Sequence, residues 1–398
     1  MRVKFLLLCI KKITTLSLCL CTAPAFGSCE FPLATQSNTE LSEVQDKFSV
    51  KVNPFTEPVS LIGAPIQAYL QATPDKLVTE YLTKDSFRYD QGQPVVFSYN
   101  VENFPQSAVE IKRITIEFSF TEDFATIAYK ESFAPETLEE DISVYNLQTG
   151  KTYYFRFIMT LSDGSTATDT GTFETLASPR FIRLEGASNV RDIGGWKTES
   201  GKTIQQGLLY RGSEIDGGKN TGHPDFCLTT NGIRQLRALG IKMDFDLRSE
   251  ENKVSEYSAL GEDVQRNFYN AEQYQSILLI AHKEKIRKIF SDLAKPEIYP
   301  VYLHCTHGVD RAGSTSMLLE ALLGVSKEDL VRDYELSAFY YNYQQVNRHI
   351  ETGGNILALM EALEGYNGET FAEKVETFLL STGVTKAEIE SIRNIFLG

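Results

Sequence analysis

Cysteine is too scarce in this chain to build a disulfide framework. Of its six cysteines, Cys9, Cys19, Cys21 and Cys29 lie within the first 29 residues, leaving only Cys227 and Cys305 in the body of a 398-residue chain. Two thiols cannot staple a chain of this length, so at least one is expected to be kept for reactivity. Histidine is also sparse, and His223, His282 and His349 stand apart without ligand spacing, which argues against a metal site. Beyond the amino terminus no stretch is long and apolar enough to span a bilayer. Positive charge is in deficit, with 39 basic against 53 acidic side chains. Broad nucleic-acid binding is therefore not expected, and any bound phosphate must be held by a local field that opposes the overall one.

The amino terminus does hold a positive cluster. Arg2, Lys4, Lys11 and Lys12 precede an uncharged run from Ile13 to Phe26, the pattern of a secretory signal over residues 1–28. Ala23-Pro24-Ala25 fits simple cleavage, whereas Phe26-Gly27-Ser28-Cys29 resembles a lipoprotein box with Cys29 as the lipidated first residue. The expected location is accordingly exported: periplasmic, anchored in the outer membrane through lipidated Cys29, or secreted. Removal of residues 1–28 would leave 35 basic and 53 acidic side chains. A polar tether then runs over residues 29–47.

Residues 48–177 change to short alternating runs. Val95 to Tyr99, Ile114 to Phe120 and Tyr153 to Ile158 show period-two patterning, with Gly, Asp and Pro between them. Beyond Pro179, helical patterns at Asn231 to Leu239 and Gln273 to Leu293 alternate with short apolar runs at Lys242 to Leu247 and Tyr299 to Leu303. A multidomain chain is expected: an N-terminal all-β sandwich over 48–177, then an α/β domain over 178–398 with a mainly parallel central sheet flanked by helices. The stretch Leu147-Gln148-Thr149-Gly150-Lys151-Thr152-Tyr153-Tyr154-Phe155-Arg156-Phe157 resembles the late-strand signature of fibronectin type III domains, with a generic immunoglobulin-like sandwich as the alternative. It carries no catalytic constellation and reads as a spacer or a protein-contact module.

The chemistry concentrates in His304-Cys305-Thr306-His307-Gly308-Val309-Asp310-Arg311. An apolar strand precedes this run and a helical segment from Arg311 to Leu323 follows it. Strand, tight loop and helix gather backbone N–H groups and a helix N-terminus around one point, which makes an anion-binding concavity. A cysteine there is expected to ionise well below its usual pKa of about 8.5, into the range of roughly 3.5 to 7.5. Arg311 can offer a planar fork to two phosphoryl oxygens while the loop amides of Thr306, His307, Gly308, Val309 and Ala312 bind the rest. That is the equipment for in-line attack by sulfur on phosphorus. No cofactor is called for.

The run resembles the signature of the bacterial tyrosine and dual-specificity phosphatases, whose loop reads His-Cys-x-x-Gly-Lys-Asp-Arg-Thr-Gly. Four more segments are similar to that family in the same order: Asn189 to Gly195, Tyr210 to Glu214, Asp246 to Ser249 and Asp333 to Ser337. The tail from Val375 to Gly398 is similar as well, so the resemblance covers about residues 183–398. It implies a phosphomonoesterase acting on phosphotyrosine, with phosphoserine and phosphothreonine as further substrates, through a phosphocysteine intermediate on Cys305. His304 would orient the loop and steady the thiolate.

A leaving oxygen needs an acid. Trp196 is followed by Lys197, so no Trp-Pro-Asp loop is present. Asp310 matches the loop aspartate of the resembling family and is the first choice, with Asp246 second; an ion pair with Arg248 is the alternative for Asp246. Arg191 and Asp192 are expected to pair with each other. A reversible disulfide between Cys227 and Cys305 stays open.

Two positions depart from the family pattern. Its loop lysine is Val309 here, and the hydroxyl residue after its arginine is Ala312, with Ser314 nearby. The first departure counts against the alternative substrate class, inositol phosphates or phosphoinositides. The second favours a phosphate-binding protein that has lost turnover. The expected partner is a phosphoprotein or a small phosphomonoester, with further protein contacts through the sandwich.

Overall fold

The computed structural model describes residues 47–82, 90–105, 109–137, 140–218, 224–252, 254–340, 346–348 and 356–398. The expected signal segment, the tether up to residue 46, Cys29, His223 and His349 lie outside them.

In the first region, alternation along the chain becomes antiparallel pairing. Strand β1 (Ser49–Val52) pairs with β3 (Tyr99–Glu102), and β2 (Val95–Phe97) pairs with β6 (Ile142–Val144). A four-stranded sheet runs β5 (Tyr129–Phe133), β4 (Ile111–Ser119), β7 (Thr152–Leu161), β8 (Thr166–Glu174). Along β7, Tyr153, Phe155, Phe157, Met159 and Leu161 are buried while the residues between them are not, as the pleat requires. These side chains join Val50, Val95, Phe97, Ile116 and Phe118 in one apolar cluster rich in rings, with Tyr153 stacked on Phe173 at 5.3 Å. Gly171 leaves room for the Phe155 ring, which a Cβ would meet at 2.6 Å. The run Val95 to Tyr99, expected as one strand, is broken at Ser98. There the chain changes partners, and the Ser98 carbonyl accepts the Asn53 N–H at 2.8 Å.

Helix α1 (Ala64–Leu70) precedes β2 in sequence but does not pack in that cluster. Ile62, Ile66, Tyr69 and Val78 join the apolar core built by the later residues.

The second region has a mixed sheet in the order β13 (Gln265–Phe268), β12 (Met243–Asp246), β14 (Val301–His304), β11 (Leu209–Gly212), β10 (Arg191–Asp192), β9 (Arg180–Phe181). β13, β12, β14 and β11 run parallel, and β10 and β9 add antiparallel edges. Helices α2 (Thr230–Ala238), α3 (Lys283–Leu293), α4 (Arg311–Leu322), α5 (Lys327–Leu336), α6 (Ile356–Leu363), α7 (Phe371–Thr382) and α8 (Lys386–Leu397) accompany it.

The expected helix Gln273 to Leu293 is shorter than its periodicity suggests. Only Lys283–Leu293 is α-helical, after 3₁₀ turns at Tyr274–Leu278 and Ile280–His282. Tyr274 sits at φ +50° and its N–H donates to Ser314 Oγ at 2.8 Å. A left-handed residue cannot continue a right-handed helix, and the bond to Ser314 holds Tyr274 there.

Candidate active site

The parallel strands end at a common level. Gly212 of β11 and Asp246 of β12 are both in register with His304, the last residue of β14, so Cys305 emerges at the carboxyl edge of the sheet where open α/β sheets bind ligands. The loop Cys305 to Asp310 then leads into α4 at Arg311. Cys305, Gly308, Val309 and Ala312 are buried, while Thr306, His307, Asp310 and Arg311 are half-buried.

Three successive loop carbonyls are held from behind. Thr306 O accepts from Glu214 N (3.0 Å), His307 O from Asn189 Nδ2 (3.1 Å) and Gly308 O from Arg211 Nη2 (2.9 Å). In a trans peptide the N–H points opposite the carbonyl it adjoins. The amides of His307, Gly308 and Val309 therefore face the other way, into the concavity. Val309 O and Asp310 O accept the helical N–H groups of Gly313 and Ser314, so the first amides of α4 join the same donor set. Gly308, at φ +71°, lies against Gly212, whose carbonyl carbon and oxygen would be 2.5 Å from any added Cβ. A side chain at 308 would lift the loop off the sheet.

Beneath the loop lies a buried ionic network. Asp333 Oδ1 accepts from Arg191 Nε (2.9 Å) and its Oδ2 from Arg211 Nη1 (2.5 Å), while Arg191 Nη1 donates to Asn189 Oδ1 (2.6 Å). The expected pairing of Arg191 with Asp192 is thus corrected. Neighbours along a strand face opposite sides, and Asp192 Oδ2 instead accepts from Arg180 Nη1 at 3.0 Å.

A second network flanks His304. Its Nδ1 lies 3.3 Å from the Cys305 carbonyl, and its Nε2 is 3.0 Å from Asp244 Oδ1, at charge-pair distance without hydrogen-bond alignment. Burial alone would lower the imidazole pKa, but the carboxylates of Asp246 and Asp244 outweigh it and raise it.

Asp246 is committed elsewhere. Its Oδ1 accepts from Arg248 N (2.9 Å) and Nε (3.0 Å), and its Oδ2 from Arg248 Nη2 (2.8 Å) and Arg266 Nη2. Burial would raise its pKa, yet His304 and Arg248 together hold it well below the usual carboxylate range. A buried carboxylate so held has no proton to give, which speaks against the second choice of acid and for its ion-pair alternative.

Asp310 is differently placed. Half-buried at the start of α4, its Oδ1 accepts from the Tyr274 hydroxyl at 2.5 Å, and that hydroxyl lies 2.9 Å from Tyr334 OH. Burial, then the charge of Asp310, pushes the Tyr274 phenol up, so it stays a donor. Sequence reasoning missed Tyr274 because its helical periodicity concealed its contact with the loop.

Ser314 Oγ donates to Asp310 O (2.7 Å) and accepts from Tyr274 N, so its hydroxyl is occupied and does not stand in for the one missing at Ala312. Val309 and Ala312 both belong to the apolar core. His307 packs edge-on to Phe226 at 5.1 Å. Cys227 and Cys305 are free thiols, the first exposed and the second buried. Among the described residues no cluster of His, Cys, Asp and Glu could hold a metal ion.

Residues 182–398 match the tyrosine phosphatase family. The chain belongs to that family. A Cupriavidus necator protein that carries the name tyrosine-protein phosphatase is 28% identical over 177 residues, covering 38% of this chain and 61% of the relative. A tyrosine-protein phosphatase of Nostoc commune is 27% identical over 130 residues, covering 27% of this chain and 44% of the relative. This member of the tyrosine phosphatase family therefore spans less than two thirds of either relative.

Proposed function

We propose that the chain hydrolyses phosphotyrosine, and secondarily phosphoserine and phosphothreonine, through a phosphocysteine intermediate on Cys305. The observation that carries this reading is the set of three anchored carbonyls, which leaves a cradle of N–H donors beside Cys305 and the start of α4, where Arg311 stands. Sulfur attacks phosphorus in line, Asp310 passes its proton to the departing phenolic oxygen, and the amides with Arg311 hold the equatorial oxygens. Water then displaces the cysteine sulfur from phosphorus, with Asp310 as the base that takes its proton. His304, paired in charge with Asp244, fixes the loop's entry.

Val309, buried and apolar, brings no positive charge to the loop, which supports a protein phosphomonoester over an inositol phosphate. Ala312 and the occupied Ser314 hydroxyl favour the second reading, phosphate binding without turnover. We further propose that residues 48–177 form a fibronectin type III-like or immunoglobulin-like sandwich for protein contacts. In the same reading residues 178–398 are the catalytic domain, and export follows from residues 1–28 with lipidation at Cys29.

The test is phosphate release from phosphotyrosine peptides, inositol hexakisphosphate and para-nitrophenyl phosphate. Cys305→Ser should abolish turnover while leaving vanadate or phosphate affinity largely intact. No release by the parent from any substrate, with vanadate still bound, would make the second reading the correct one. Asp310→Asn should cost roughly 10²- to 10⁴-fold on a poor leaving group and much less on para-nitrophenolate. The same leaving-group dependence appearing at Asp246→Asn would move the acid to the strand end.

A further inference from the structure

Asn189 adopts a left-handed backbone, φ +55°, which asparagine tolerates better than most side chains but which takes its N–H out of any regular ladder. That buried N–H must find an acceptor elsewhere. It donates to Asp90 Oδ2 at 2.6 Å, across 99 residues of sequence, and both residues are fully buried. The same Asn189 turns its side chain to the loop and its supports. Nδ2 donates to His307 O and, at 3.2 Å, to Ser337 Oγ, while Oδ1 takes Arg191 Nη1. Asp90 thus sits two hydrogen bonds from the phosphate cradle, yet it lies outside the part of the chain that matches the family.

The same upstream segment reaches the other support. Tyr69 OH donates to Glu335 Oε2, and that carboxylate also accepts Arg348 Nη2 at 2.6 Å. Glu335 lies between Asp333 and Ser337, the residues that receive Arg191 and Arg211. Asn189 is therefore held by Asp90, and the last turn of α5, which carries Asp333 and Glu335, by Tyr69.

We propose that Asp90 is a positioning residue for the phosphate-binding loop, acting through the backbone of Asn189. The N-terminal segment is then part of the turnover machinery and not a spacer. This rests on the reading of the loop as an oxyanion cradle. Loss of the Asp90 acceptor frees the Asn189 backbone to leave its left-handed conformation, and the carboxamide that fixes His307 O moves with it. Catalysis with good and poor leaving groups should suffer alike, because both use the cradle.

The experiment uses the full chain and compares Asp90→Ala, Asp90→Asn and the distant control Lys51→Ala. Orthovanadate affinity is measured by calorimetry, and kcat and KM on para-nitrophenyl phosphate and phenyl phosphate are corrected for folded fraction by circular dichroism. Asp90→Ala should weaken vanadate by roughly tenfold and lower kcat/KM by a similar factor on both substrates. Asp90→Asn, which keeps an acceptor oxygen, should stay within about twofold of the parent. If Asp90→Ala does not fold, Asp90→Ser carries the same expectation, its hydroxyl being too short to reach. Parent-like vanadate affinity in the folded alanine or serine variant would overturn the proposal, as would a loss confined to phenyl phosphate. A parent that binds vanadate but turns over neither ester would sink the proposed activity, and the calorimetric arm would still decide the role of Asp90.

Discussion

The antiparallel region keeps its ion pairs outside its apolar core, whereas the mixed sheet buries charged side chains beside its own. The first closes around Phe97, Phe118, Phe155 and Phe173, and its ion pairs, such as Lys130 with Glu117, stay at the surface. The second buries Arg191, Arg211, Arg248, Asp244, Asp246 and Asp333 below 3% exposure. Within α4 it also buries Glu320, whose carboxyl is pushed well above its usual range by burial and then by Asp333. Buried ion pairs are weak stabilisers compared with well-packed apolar groups. A sheet that carries so many is spending stability on geometry, and here the geometry is the placement of three loop carbonyls.

Matched substitutions would break that comparison. Arg211→Met should have the larger consequence, because it takes one of two buried guanidiniums from Asp333, leaving Arg191 alone on it, and releases Gly308 O. About 3 to 5 kcal/mol of stability should be lost, together with oxyanion affinity in whatever remains folded. Phe155→Ala should cost a similar 3 to 5 kcal/mol while leaving turnover per folded molecule unchanged. Denaturant titration paired with vanadate binding reads both. Equal loss of affinity in the two variants would show that the apolar core governs the loop as much as the ions do.

The smaller effect concerns pH. Asp246 has a lowered pKa in the folded state, so the unfolded chain binds more protons and stability rises with pH across its titration. Its contribution is complete above the unfolded value of about 3.9 and is lost as pH falls through the folded one. Asp216, lowered chiefly by its bonds to Arg248 against the opposing effect of burial, adds in the same direction. Asp246→Asn should therefore be less stable than the parent at neutral pH, with the gap narrowing below about pH 4. A gap independent of pH would mean that packing alone holds Asp246 in place.

What the sequence made legible was local. Cys305, Gly308, Asp310 and Arg311 fall within seven residues, and the strand before them and helix after them follow from short apolar patterns. The supports were not legible, because Arg191 meets Asp333 across 142 residues and Asp90 meets Asn189 across 99. Periodicity also misled around Tyr274, where a contact with Ser314 overrode a helical pattern, and at Ser98, where one apolar run serves two partner strands.

The outward carbonyls of Thr306, His307 and Gly308 also set a rule of admission. A wall that presents hydrogens and has its oxygens turned away can satisfy a guest that accepts but gives nothing to one that donates. Ammonium groups, which have no acceptor, find no partner there. A phosphoryl group still carrying a proton must leave one hydrogen unanswered by the amides, whereas its dianion is met at each oxygen that reaches the wall. The loop thereby sorts ligands by protonation state before any bond is broken, and acidifying the medium should release them even while the protein remains folded.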